Sequence, residues 1–191
     1  MTEIDFKKTI ETGFLKAKEN QTLYDYAIMI PLLCLVVLFV LFGVKVYLGE
    51  IKYFATKKEQ LLFTGLFLGY LTLSVYIWFR IENSKKLKSI RTELTKKANQ
   101  TLIENVLNEI GLTILKRSQH YIIATTLSSV LVGQEVTVIL EQGEVWVNVR
   151  PSVGMRGRFP FSFGKSQQVL NQIENKIQNH LTKPKPHQGM L

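Results

Sequence analysis

Within Arg150-Pro-Ser-Val-Gly-Met-Arg-Gly-Arg158, three arginines and two glycines fall in nine residues. Guanidinium forks and backbone amides freed by glycine suit phosphate or carboxylate. With Lys165 and the amino end of a following helix close in sequence, Arg150, Arg156, Arg158 and Lys165 form a candidate anion-binding group. An acidic lipid head group or an acidic peptide is the ligand such chemistry takes. The plainer reading of the same stretch is a solvated loop that carries charge toward water or a lipid surface.

Other chemistry finds less support. Gly164-Lys165-Ser166 has the ending of a Walker-type loop without its first glycine, and Ser166 reads as the N-cap of a helix. None of the serines stands in a G-x-S-x-G elbow, and no G-x-G-x-x-G occurs. The histidines His120, His180 and His187 lack metal-ligand spacing, and the single cysteine, Cys34, excludes an intramolecular disulfide or a cysteine metal site. The glutamates after residue 84 read as solvated helix or strand positions rather than paired catalytic carboxylates. No catalytic residue, metal or cofactor is expected, and the chain is read as a non-enzyme.

The elements that carry these residues begin with two apolar runs. Tyr26 to Val44 and Gln60 to Phe79 contain no charged residue, and each is about the ~20 residues that a helix needs to cross ~30 Å of hydrocarbon. The expected organisation is an N-terminal amphipathic segment over 1–22, a transmembrane hairpin over 23–81 with spans at about 26–47 and 60–80, and a basic helical stalk over 82–100. A cytosolic α+β domain over 101–181 and a flexible tail over 182–191 follow. The N-terminal segment is read either as lying on the inner leaflet or as packed on the soluble domain.

Gly65 and Gly69 form a G-x-x-x-G in the second run, which Thr72 extends. Such a stripe packs the second helix on the first or joins two copies of the chain; packing within the hairpin is the expectation adopted here. No Asp, Glu, Lys, Arg or His interrupts either run, so neither carries the ionisable groups of a proton relay or voltage sensor.

Charge orients the hairpin. Eleven lysines and arginines lie near the two outer ends of the spans, against Lys45, Lys52, Lys57 and Lys58 in the connecting loop. The positive-inside bias therefore places both termini in the cytoplasm, in the expected setting of a bacterial inner (plasma) membrane. Residues 1–83 carry 9 basic and 8 acidic groups, whereas 84–191 carry 15 and 7. That excess suits anionic lipid, with Lys85, Lys86, Lys88 and Arg91 at the membrane surface, better than nucleic acid.

Beyond the stalk, Thr101-Leu-Ile-Glu104 fits a capping box and Gly111 a helix stop. Residues 112 to 163 then change to period 2, with Val136, Val138 and Leu140 joined through Gln142-Gly143 to Val145, Val147 and Val149. An edge strand is expected at Phe161 to Phe163, and a final helix from about Ser166 buries Val169, Leu170, Ile173, Ile177 and Leu181. The fold class is α+β: a two-helix hairpin, then helix, antiparallel sheet of about four strands, and C-terminal helix. The function this implies is a membrane-anchored, non-enzymatic binding or adaptor module that engages a partner protein or anionic lipid. The alternative is a homo-oligomeric pore or effector gated by the cytosolic domain, self-associating through the second span.

Overall fold

The computed structural model describes residues 6–15, 26, 29–47, 57–126, 133–154, 157–158, 162 and 164–182. Among the described residues, five helices, α1 (Phe6–Thr12), α2 (Met29–Tyr47), α3 (Lys57–Ser84), α4 (Lys96–Glu109) and α5 (Lys165–Thr182), combine with five main strands. These are β1 (Lys88–Arg91), β2 (Leu112–Arg117), β3 (Tyr121–Thr126), β4 (Gln134–Leu140) and β5 (Glu144–Pro151); the short β6 (Val153–Gly154) and β7 (Gly157–Arg158) pair separately. The main strands form one antiparallel sheet in the order β1-β5-β4-β3-β2. The class is α+β.

Alternation along the strands sorts the side chains onto two faces. Val136, Val138 and Leu140 of β4 and Val145, Val147 and Val149 of β5 point to the face that α4 and α5 cover, where Ile103, Val106, Leu107, Ile173 and Ile177 complete the core. Glu141 and Glu144 close the β4–β5 turn, and Gly143 takes the φ of +83° that the tight connection demands.

The fifth strand corrects the expected helical stalk. The helix ends at Ser84, and Lys88–Arg91 pairs with β5, Ile90 lying opposite Val145. Leu87, Ile90 and Leu94 fit a helical period, but three apolar residues do not separate that period from strand alternation. The free edge of β5 decides, since its backbone groups gain partners only if this segment is extended.

Two helix starts also differ from expectation. α4 begins one turn and more before the Thr101 capping box: Thr95 is its N-cap, accepting from the Ala98 amide at 3.3 Å, while the Thr101 hydroxyl donates back to the Lys97 carbonyl inside the helix. Ser166 does not cap α5 but donates to Gln134 Oε1 at 2.6 Å. Of the expected edge strand, residues 161 and 163 lie outside the described residues, as does the tail from 183.

Among the described residues one helix, α3, is long and apolar enough to cross a membrane; the apolar run of α2, Ile30–Lys45, is shorter, about 24 Å at ~1.5 Å per residue. The two helices pack antiparallel. Phe39 meets Phe63, Phe67 and Tyr70 at centroid separations of 5.5, 6.1 and 6.0 Å, Phe42 meets Phe63 at 5.4 Å, and the Tyr70 hydroxyl donates to the Leu32 carbonyl at 3.3 Å.

The glycine stripe takes no part in this contact. A side chain built on Gly65 or Gly69 would meet nothing within 4 Å, so the expectation that these glycines pack α3 on α2 is corrected. The partner helix is held by aromatic rings on a different stripe, which keep the backbones apart. G65L/G69L is therefore expected to leave the stability of the hairpin within ~0.5 kcal/mol of wild type, the range of surface substitutions, as read by thermal unfolding of monomer in detergent.

Candidate functional site: the joint between the apolar helices and the sheet

The second face of the sheet is not left to water. Alternation places Tyr121 and Ile123 of β3, Thr137 and Ile139 of β4, and Asn148 and Arg150 of β5 on it, and all six are buried. Cover comes from the N-terminal segment and from the residues that follow α3. Leu15 packs on Tyr121 and Ile123, with Leu87 against them, and Thr9 of α1 is also buried. The N-terminal segment thus packs on the domain, one of the two placements expected for it.

Backbone hydrogen bonds lock this arrangement where α3 ends. The Leu15 amide donates to the Lys85 carbonyl at 2.8 Å and the Leu87 amide to the Gly13 carbonyl at 3.0 Å, a short antiparallel bridge. Asn148 reaches across from the sheet and donates to the carbonyls of Ser84 and Lys86, each at 2.8 Å. These carbonyls terminate the helix and its turn, where the helix itself offers them no partner. One buried amide therefore fastens the long apolar helix to β5. Asn148→Ala is expected to cost about 1–3 kcal/mol, because two carbonyls lose a buried donor. The local loss should appear as faster amide hydrogen exchange over 84–88 than in the α4–α5 layer.

A second fastening ties Tyr26, three residues before α2, to the end of α3. The Tyr26 hydroxyl bonds to the Glu82 carboxylate and accepts from Lys85 Nζ at 2.6 Å, while Lys85 pairs with Glu82 at 3.1 Å and stands 4.3 Å from the Tyr26 ring centroid. Of the residues expected at a membrane surface, Lys85 is thus enclosed in this network. Lys88 pairs with Glu174 at 2.6 Å, while Lys86 and Arg91 are exposed.

The expected anion-binding residues do not converge as the sequence suggests. Arg150 is 2% exposed within β5; its Nη2 and Nε bond to Glu135 Oε1 at 2.9 and 3.1 Å. Glu135 is its cross-strand neighbour, so the pairing follows from the register of β4 on β5. Lys165 is exposed at the start of α5, on the opposite side of the sheet from Arg150. Arg158 belongs to β7, and Arg156 lies outside the described residues. Arg150 is corrected from loop cation to buried structural cation: the strand runs on through Pro151, two residues beyond where the loop reading ends it.

Other carboxylates are also tied to cations. Glu104 meets Arg117 at 2.8 Å. Glu109 meets Lys176 and His180, each at 2.8 Å, and these hydrogen bonds, Lys176 first, hold its carboxyl below the ordinary range. Lys96 Nζ stands 2.7 Å from His120 Nδ1. Among the described residues no group of three or more His, Cys, Asp or Glu is placed to hold a metal.

Asn148 and Glu135 are the residues that sequence reasoning missed. The available signal was the company they keep: Tyr121, Ile123 and Ile139 share their face, and so apolar a face demands a cover. The joint is built from this chain's own distant segments. Neither a scan against protein-family models nor a search of curated proteins finds a match to the chain.

Proposed function

We propose that this chain is a non-enzymatic, membrane-anchored binding or adaptor module, in which the α2–α3 hairpin spans the bilayer and the basic α+β domain engages a partner protein or anionic lipid at the cytoplasmic surface. One observation carries the reading. Among the described residues, every exposed large hydrophobic side chain except Leu115 lies on α2 or α3, where Leu61 is 75% and Leu62 63% exposed, while the α+β core is closed. So large an apolar surface is covered by lipid or a partner.

The length of α2 supports two spans. Its 19 residues rise about 28 Å, close to the ~30 Å of hydrocarbon, and a small mismatch is met by local thinning of the bilayer. Basic residues at the outer ends of both helices support cytoplasmic termini. Exposed Lys86 and Arg91, directly after α3, would stand at the lipid head groups, and Arg156, Arg158 and Lys165 remain as the candidate anion-contacting cations of the domain. The glutamates engaged by Arg, Lys and His support a binding role over carboxylate catalysis.

Purification of the tagged full-length protein in mild detergent, with mass spectrometry of what accompanies it and light scattering of its mass, tests the proposal. A stoichiometric partner, or flotation with anionic but not zwitterionic liposomes that R156Q/R158Q/K165Q weakens, is the expected result. A homo-oligomer with neither property would favour the second reading, a gated pore or effector. That reading draws on Gly65 and Gly69, which point away from α2 and leave room for another copy.

A further inference from the structure

The aromatic contacts that join α2 and α3 lie toward the loop between them, at Phe39, Phe42, Phe63 and Phe67. Nearer the α+β domain the helices leave a groove of about 520 Å³ between them. Its walls are Ile30, Leu33 and Val36 from α2 and Leu71, Val75 and Trp78 from α3. Ser74 lies within it, buried, with its hydroxyl donated to the Tyr70 carbonyl at 2.9 Å. Positions 71, 75, 78 and 82 follow one stripe of the helix, so the groove leads to Glu82 and the Tyr26–Lys85 network.

We propose that this groove seats one acyl chain of an anionic phospholipid, with the lipid phosphate at the Tyr26, Lys85 and Lys86 end. The inference rests on the membrane reading given above. Two properties select the occupant. The walls offer no free polar group, so the inserted part is hydrocarbon, and the groove runs about 10 Å from Leu71 to Trp78.

The second property is charge. At the domain end, Lys85 and Lys86 stand against the one carboxylate of Glu82, and Lys86 is exposed with no ion pair among the described residues. The excess cation lies where the groove meets the basic domain, the level of the head groups of the adjoining leaflet. A phosphate there meets the exposed Lys86 ammonium, and a net negative head group complements the charge that Glu82 leaves unbalanced.

Trp78 in the groove wall reports directly on the occupant. Full-length protein is reconstituted in phosphatidylcholine vesicles with a rising mole fraction of phosphatidylglycerol brominated on its acyl chains, or of brominated phosphatidylcholine. Curves from W78F, which keep Trp146 alone, are subtracted. Brominated phosphatidylglycerol is expected to quench Trp78 half-maximally at a mole fraction about fivefold lower than the brominated phosphatidylcholine. V75F, which fills the groove from its exposed rim, and K85Q/K86Q, which removes the cations, should each bring that ratio to about one. Equal curves for the two lipids in wild type, or a preference that V75F leaves intact, would overturn the lipid seat while leaving the span in place. No quenching by either lipid in recovered proteoliposomes would instead remove the membrane reading itself, and the seat with it.

Discussion

Arg150→Ala is expected to destabilise the α+β domain by about 3–5 kcal/mol, the cost of stranding one partner of a buried ion pair. Arg150 is 2% exposed, Glu135 13%, and two hydrogen bonds join them across adjacent strands. Without the guanidinium, a carboxylate stays on a face that Leu15 and the end of α3 keep dry. Urea unfolding of the full-length protein in detergent, followed by near-ultraviolet circular dichroism, measures the loss. R150A/E135A should cost less than the sum of the single changes, because the double variant leaves no stranded charge. A loss under ~0.5 kcal/mol with weaker liposome binding by R150A would return Arg150 to the solvated, anion-contacting role.

Leu38→Arg is expected to lower the ratio of inserted to uninserted α2 roughly a hundredfold, since an arginine at a span centre costs about 2.5–3.5 kcal/mol. Leu38 lies midway along α2 and is 60% exposed, beside rather than within the aromatic contact with α3. The equally exposed Leu115, 56%, sits on β2, and L115R supplies the control. Protection of α2 from added protease in sealed vesicles reads both variants. Exposure of α2 to cleavage in L38R with wild-type protection in L115R is the expected pair of results; cleavage of α2 already in the wild type would place α2 outside the hydrocarbon.

The joint explains why these two predictions concern one device. A domain on a mobile tether would leave the apolar helices indifferent to the sheet. Here Asn148 holds the carbonyls that end α3, and the 13–15 segment is bonded to 85–87. Displacement of the sheet is thus transmitted to α3 without an intervening linker, and the Glu82–Lys85 pair extends the same connection to Tyr26.

Much of this was legible in the residues alone. Two uncharged apolar runs dictate two apolar helices, since no other structure satisfies so long an apolar backbone. Alternating valines about Gln142-Gly143 dictate a hairpin, because period 2 and a glycine turn agree. The facing apolar stripes of α4 and α5 likewise follow from spacing. These are local patterns, and each is complete within a dozen or two residues.

What the sequence left open depended on partners far along the chain. Residues 88–91 become a strand because β5, more than fifty residues later, has an unpaired edge. Arg150 becomes a structural cation because the register sets Glu135 beside it and the N-terminal segment helps close the face above. Gly65 and Gly69 carry the same signature whether they meet α2 or turn away from it, and only the aromatic packing of Phe39 on Phe63, Phe67 and Tyr70 fixes the rotation of α3 that turns them outward. Composition and period determined which elements exist; burial against distant segments decided which of their charged residues face a ligand and which hold the fold together.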